Sequence, residues 1–298
     1  MNFRSRARSL VIRAATLTGL DELAFYLQTR LKGRRYGLIV GVHETPASLE
    51  SQFREQLAWV SARFTITSLE AFARIWDRDR DSEWNAGSKP PVLFTFDDGR
   101  ESNYTVAAPL LESLGGHGVF FVVPGFAQCA ADQALAFYRA RINPNSKPGD
   151  ETWEDWKPMS PRQIGELAAR GHAIGNHTLS HERLVGLSPE KLEREIGDSA
   201  RLIGSWTGKP VDAFAWTFGW DAVDMNAWKV IQRYHRFCFA PCPGAIDAHR
   251  DAPPLLWRRE IEAKYSAGEY QFLYSGLVDL WWSTRRGQLR KMLRAPAV

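Results

Sequence analysis

Cysteine is scarce in this chain, and the little present forms no framework. The three residues, Cys129, Cys238 and Cys242, are odd in number and lack metal-binding spacing. That excludes a full disulfide scaffold and a thiolate zinc site, and free thiols in a reducing compartment are the expectation. Long apolar runs are missing as well: no segment approaches the roughly 20 apolar residues of a membrane span. The arginine-rich start has the positive opening of a signal peptide. However, Arg13 ends the apolar run after Leu10-Val11-Ile12, and no small-residue cleavage site follows. Cytoplasmic residence is therefore expected. No low-complexity stretch reads as disorder, and no histidine follows His249.

Charge is absent from the places where nucleic-acid binding would need it. The net charge is +4, but residues 1–35 carry +6 and residues 285–294 carry +5, leaving −7 for all the rest. The basic residues are terminal and no recognition motif accompanies them, so a nucleic-acid partner is not expected. At each end they border an apolar helical pattern. Leu10, Leu17, Leu20, Ala24, Leu27 and Leu31 recur at helical spacings, and a second, aromatic-rich pattern runs from Phe272 to Leu293. Two readings of this pair stand: helices packed on the main domain with a solvated basic face, or helices lying on an anionic membrane surface.

Between the ends, strand and helix signals alternate. Tyr36–Val42 is a strand ending at His43, and Pro91–Phe96 is a buried strand ending at Asp97-Asp98-Gly99. Gly118–Val123 is a continuous apolar run of parallel-sheet type. Residues 49–62, 68–77 and 107–114 read as helices. Residues 125–160 read as a long irregular functional loop. Ser160 caps a helix from Pro161, and Ala173–Gly175 is a strand leading to Asn176-His177. Helices at 189–207 and 224–233 flank a strand at 211–215. A chain of 298 residues with repeated strand–helix units and one composition regime predicts a single parallel α/β domain. The twelve tryptophans mostly serve packing, with some surface left for sugar rings or a membrane interface.

Two features stand at the C-terminal ends of predicted strands, where α/β barrels place their chemistry. In Thr95-Phe96-Asp97-Asp98-Gly99, adjacent carboxylates oppose each other's ionisation unless a cation relieves them. One carboxylate is then free to act as a base. In His177-Thr178-Leu179-Ser180-His181, a helical turn would put two imidazoles on one face, spaced to bind one metal ion. Taken singly, the first is also a common turn and the second also suits two surface histidines. Their order and their placement after strands give them weight together.

These residues resemble the NodB-type polysaccharide deacetylases, the fourth carbohydrate esterase family. TFDDG at 95–99 matches that family's first motif, and Gly171-His-Ala-Ile-Gly-Asn-His177-Thr-Leu-Ser-His181 matches its second. Phe214-Ala-Trp216-Thr-Phe218-Gly219 occupies the place of a third. The resemblance implies a distorted (β/α) barrel of about seven parallel strands over residues 36–262; the periodicity of the ends adds a basic amphipathic helix (1–35) and a helical extension (263–298). It implies one divalent ion, zinc by preference, on Asp98, His177 and His181, with Asp97 as general base. A backbone N–H near Phe218, beside Trp216, would stabilise the oxyanion.

Three departures from the family pattern matter. The third motif lacks its Pro and Tyr, and also the Arg that orients the base. The late Leu-x-His that supplies a general acid is absent. His43 is the first candidate for the acid, ahead of His235 and His249. Arg258 or Arg259 could orient a carboxylate, or pair with Glu260.

The implied activity is removal of an N-acetyl or N-formyl group from an amino sugar during cell-surface polysaccharide or lipopolysaccharide assembly. The partner would be an N-acylated sugar or a lipid-linked saccharide, reached from the inner face of a membrane. The alternatives are a carbohydrate-binding relative without turnover and a hydrolase of a non-sugar amide.

Overall fold

The structure is a computed structural model. It describes residues 12, 14–32, 36–76, 89–146, 156–248, 250–251 and 253–294. Arg4, Arg6, Arg8, Leu10, Arg13, Arg34, Arg35, Trp153 and His249 lie outside the described residues.

The strands are Tyr36–Val42 (β1), Thr65–Ile66 (β2), Pro91–Phe96 (β3), Val119–Val122 (β4), Ala173–Asn176 (β5), Ala213–Ala215 (β6), Phe237–Ala240 (β7), Ile246–Asp247 (β8), Leu255–Trp257 (β9) and Arg259–Glu260 (β10). They run in the order β10-β1-β3-β4-β5-β6-β7-β9, each neighbour pair parallel. β9 and β10 are two halves of one segment, divided at Arg258. The first half pairs with β7 and the second with β1. That segment bridges the sheet's two edges and all but closes a barrel of seven parallel staves, the architecture expected. β2 lies parallel beside the start of β3, and β8 lies antiparallel to the start of β1.

The longer helices are Leu20–Lys32 (α1), Glu50–Arg63 (α2), Pro161–Ala169 (α3), Ser199–Thr207 (α4), Met225–Tyr234 (α5), Ala267–Ser275 (α6) and Val278–Arg294 (α7). Ser160 caps α3 in a reciprocal box with Gln163, and Asp224 caps α5 by accepting from the N–H groups of Asn226 and Ala227. The period-two alternation of the strands divides the core. Leu38, Val40, Phe94, Phe96 and Phe120 pack outward against Phe53 and Leu57 of α2 and Ile164 and Leu167 of α3. Ile39, Leu93, Phe121 and Phe239 belong to a second cluster, and their opposite parity turns them into the barrel.

Four expectations about helices need correction. The described part of the 125–160 segment is not wholly irregular: it has short helices at Pro124–Ala127 and Ala134–Phe137 and a π-helical turn at Tyr138–Ile142. Its aromatics, Phe126, Tyr138 and Trp156, build a small core of their own. The 189–207 helix is interrupted by a π-helical stretch, Glu193–Asp198. The N-terminal pattern breaks at Gly19 and the C-terminal one at Gly276, where φ is 68° and 82°. Glycine reaches that left-handed region without the Cβ clash other residues meet.

α7 is fastened to the barrel by a buried ion pair. Arg259, 1% exposed, donates to both carboxylate oxygens of Asp279 at 2.9 and 2.5 Å. Asp279 also accepts the Ala245 N–H. Burial alone would raise the Asp279 carboxyl, but Arg259 outweighs it and holds it below the usual range. A depressed carboxylate contributes stability above its unfolded pKa and loses it as pH falls. Asp279→Ala should therefore destabilise the protein by about 3 kcal/mol near neutral pH, and the gap from wild type should narrow in acid. Urea unfolding of both proteins across the acid range checks this; a gap that persists in acid would exclude the ion pair as its source.

Candidate metal centre and acid–base pairs

The site stands where the inward columns of the barrel end. Ile39 and Gly41 precede His43, Leu93 and Thr95 precede Asp97, and Gly175 precedes His177, so strand parity aims all three side chains to the same mouth. Phe121 floors it, its ring 5.1 Å from Phe239 and 6.4 Å from His177. Gly175 makes room for that floor, since a Cβ there would lie 2.2 Å from the Phe121 ring. Over the floor lies a cavity of about 370 Å³ that brings together His43, Asp97, Asp98, His177, His181, Trp216, Phe218 and Arg258. His235 is not among its lining residues. It is buried, with contacts to Asn176 and the Ile231 carbonyl. Arg259 faces Asp279 instead.

Asp98, His177 and His181 present one donor atom each, all within 4.8 Å of one another. The His177 and His181 Nε2 atoms lie 3.8 and 3.6 Å from Asp98 Oδ1. Each histidine donates Nδ1–H to a backbone carbonyl, Ala215 at 2.9 Å and Arg141 at 2.8 Å. That leaves both Nε2 lone pairs facing the carboxylate, the tautomer a metal ligand requires. Burial, opposed by Asp97, lowers His177 to about 4, so it is neutral at ordinary pH. The other Asp98 oxygen accepts from Arg100 at 3.1 Å. Two imidazoles and an oriented carboxylate suit a zinc-type ion in an open site.

Contrary to the helical turn suggested by the four-residue spacing, the histidine pair does not sit on a helix. The stretch is a loop, with Thr178 and His181 at positive φ and the imidazole rings 5.1 Å apart. Side chains replace the missing helical hydrogen bonds. Glu195 accepts from the Ser180 N–H and hydroxyl, and Asn176 Oδ1 accepts the Thr178 N–H. Among the described residues, the non-glycine positions with positive φ are Asp98, Thr178, His181 and Phe218, all in loops at this mouth. Local backbone strain is thus concentrated at the site.

Asp97 is 1% exposed and bound by both arms of Arg258 at 2.7 and 2.5 Å. Burial raises a carboxyl, but Arg258, His177 and His43 outweigh it and hold Asp97 well below the usual range. Beside it, His43 Nε2 lies 3.7 Å from Asp97 Oδ2, while Nδ1 is 2.7 Å from Glu262. Burial would push this imidazole down. Glu262 first, then Asp97 and Asp98, overcome that and raise it to about 10. Phe218, at φ 62°, places its ring 4.9 Å from His181.

Three residues of this constellation were not singled out from sequence. Glu262 lines the cavity with Arg258, Glu260 and Lys264, and their strict alternation was a readable period-two signal. Arg100 directly follows the Asp-Asp-Gly turn. Asn103 joins the mouth loops, its amide donating to the His43 carbonyl at 3.4 Å and the Asp97 carbonyl at 3.5 Å; nothing local marks it.

A family model described as polysaccharide deacetylase matches residues 85–235. The chain belongs to that family. It is 25% identical over 155 residues, 51% of this chain, to YxkH of Bacillus subtilis, a candidate polysaccharide deacetylase. It is 27% identical over 121 residues, 40% of this chain, to the peptidoglycan-N-acetylglucosamine deacetylase of Bacillus cereus. The matches span 44% and 43% of those relatives, less than half of each. The Streptococcus pyogenes deacetylase PplD, solved in complex with acetate, superposes with a TM-score of 0.59 over 80% of this chain and 98% of its own, at 18% identity. That likeness concerns the fold.

Loss of one member should register as loss of metal. His181→Ala and Asp98→Asn are expected to abolish stoichiometric binding. Arg100→Met, which frees the outer Asp98 oxygen, should weaken it by about tenfold to a hundredfold. Calorimetric titration with zinc checks all three; full affinity in His181→Ala would remove the donor set from consideration.

Proposed function

We propose that the chain is a metal-dependent hydrolase that removes an N-acetyl or N-formyl group from an amino sugar used in cell-surface polysaccharide or lipopolysaccharide assembly. One observation carries this reading: the Asp98–His177–His181 donor set shares a cavity with two charged pairs, Asp97–Arg258 and His43–Glu262. Sugar-binding alone has no need of that machinery. The Bacillus cereus relative's name points to the same type of bond.

A divalent ion on the three donors, zinc first by ligand type, would polarise the amide carbonyl and make water a stronger nucleophile. Asp97 stays ionised because Arg258 compensates its charge, and it accepts the proton of the attacking water. Arg258 fixes the direction of that carboxylate, the task the third motif's missing arginine performs in relatives. His43, protonated at Nε2 and anchored at Nδ1 by Glu262, donates to the departing nitrogen. It stands in for the absent late histidine. A backbone N–H at Phe218, beside Trp216, would donate to the developing oxyanion. Exposed rings of Phe218 and Trp220 at the rim offer stacking surface for a sugar.

Acetate or formate should be released from N-acylated amino-sugar oligomers by the zinc-loaded protein. Asp97→Asn and His43→Ala should each lower kcat by about a hundredfold to ten-thousandfold, with metal content unchanged. Activity surviving both substitutions would overturn the roles; metal binding without any acyl release would favour a carbohydrate-binding protein.

The acid's pH dependence follows from Glu262. His43 donates only while protonated, so turnover falls as pH rises through its pKa. Glu262→Gln removes the main cause of the raised value and leaves burial to lower it. The alkaline limb of the kcat profile should move to lower pH, and an unmoved limb would dismiss His43 as the acid.

A further inference from the structure

The two terminal helices show their apolar stripes to solvent. Leu17, Leu20, Leu23 and Leu27, spaced three, three and four residues apart, are 86%, 49%, 52% and 44% exposed. α1 is seated by other residues: Phe25 packs on Phe64 with ring centroids 5.2 Å apart, Asp21 is buried, and Gln28 packs on Gly276. On α7, Leu289 and Leu293 face the core, while Leu280 and Trp281 are 72% and 71% exposed. α1 packs along α6, the helix that leads into α7. The Gln28–Gly276 contact lies at the turn into α7, and Leu277 and Val278 pack with Ile12 and Ala15. Seven of the eleven large hydrophobic side chains exposed among the described residues, Tyr26 included, belong to these two terminal helical segments.

Core burial, the ordinary reason for an amphipathic stripe, does not account for this placement. Charge supplies a partner. Residues 1–35, which carry the first stripe, hold +6, and the far end of α7 (285–294) holds +5, against −7 for the rest of the chain. An anionic surface would repel the rest of the chain and attract its two ends. No helix among the described residues is long and apolar enough to cross a bilayer, so the stripes suit contact in the interfacial plane. Trp281 beside Leu280 supplies the amphipathic ring that settles at headgroup depth.

We propose that the outward faces of α1 and α7 form a docking surface for an anionic lipid bilayer, with the leucines and Trp281 inserting and basic residues of the 1–35 segment engaging headgroup phosphates. The surface stands apart from the cavity, so it holds whether or not the hydrolase reading does.

Co-sedimentation of the full chain with vesicles tests it. Mixed phosphatidylcholine–phosphatidylglycerol vesicles should carry the protein down at least about tenfold more than phosphatidylcholine alone, and added salt should weaken the effect. Leu27→Glu combined with Trp281→Glu, both at exposed sites outside the cavity, should cut binding by about tenfold with the thermal melt unchanged. Absence of vesicle binding would overturn the proposal, as would binding that ignores the double variant. A solution dimer that the double variant splits, without vesicle binding, would assign the face to a second copy of the chain.

Discussion

Asp97 and Asp98 are consecutive in the chain and almost wholly withdrawn from water at the mouth of the barrel. Two like charges so placed cannot both remain ionised without compensation, and the surrounding structure provides it twice. Asp97 receives the two arms of Arg258, delivered by the segment that bridges the barrel's edges. Asp98 receives Arg100 on one oxygen and turns the other toward two imidazoles. The left-handed backbone at Asp98 and Gly99 lets neighbouring carboxylates diverge into these separate settings. The division follows from that divergence: a carboxylate locked to a guanidinium can serve as a positioned base, and one facing two imidazoles can serve as a ligand.

Much of this was legible in sequence because strands write their geometry with period two. His43, Asp97 and His177 each follow an apolar run, and parity alone assigns them to the barrel's mouth. The same parity would have found Glu262, four residues beyond Arg258. The adjacent arginines 258 and 259 could not be told apart without knowing which one faced inward. Spacing misled at His177–His181, where four residues suggested a helical turn. The loop there depends on Glu195, a residue fourteen positions after His181 whose role exists only once the chain folds. The 125–160 segment misled for a related reason: its aromatics pack on one another, and that tertiary gain outweighs the weak helical signal of its short pieces.

The terminal helices separate two tasks that amphipathic patterns usually merge. Phe25, Gln28, Leu289 and Leu293 seat them, while the leucines most visible in the sequence face outward. Arg285 of α7 lies 4.2 Å over Trp220, next to Gly219 on the cavity rim. The C-terminal helix therefore touches both its own outward stripe and the edge of the site.

The segment from Leu255 to Glu260 also guards against its own misalignment. Arg258 points inward to Asp97 and Arg259 outward to Asp279, so two aspartates on opposite faces read two consecutive arginines. A slip of one residue in one direction would set Glu260 against Asp279. A slip in the other would leave Trp257 facing Asp97. Either error strands a buried carboxylate without a cation, which folding cannot easily absorb. The pair of ion pairs thus works as a register lock, and the strand that completes the barrel has only one alignment in which both charges are met.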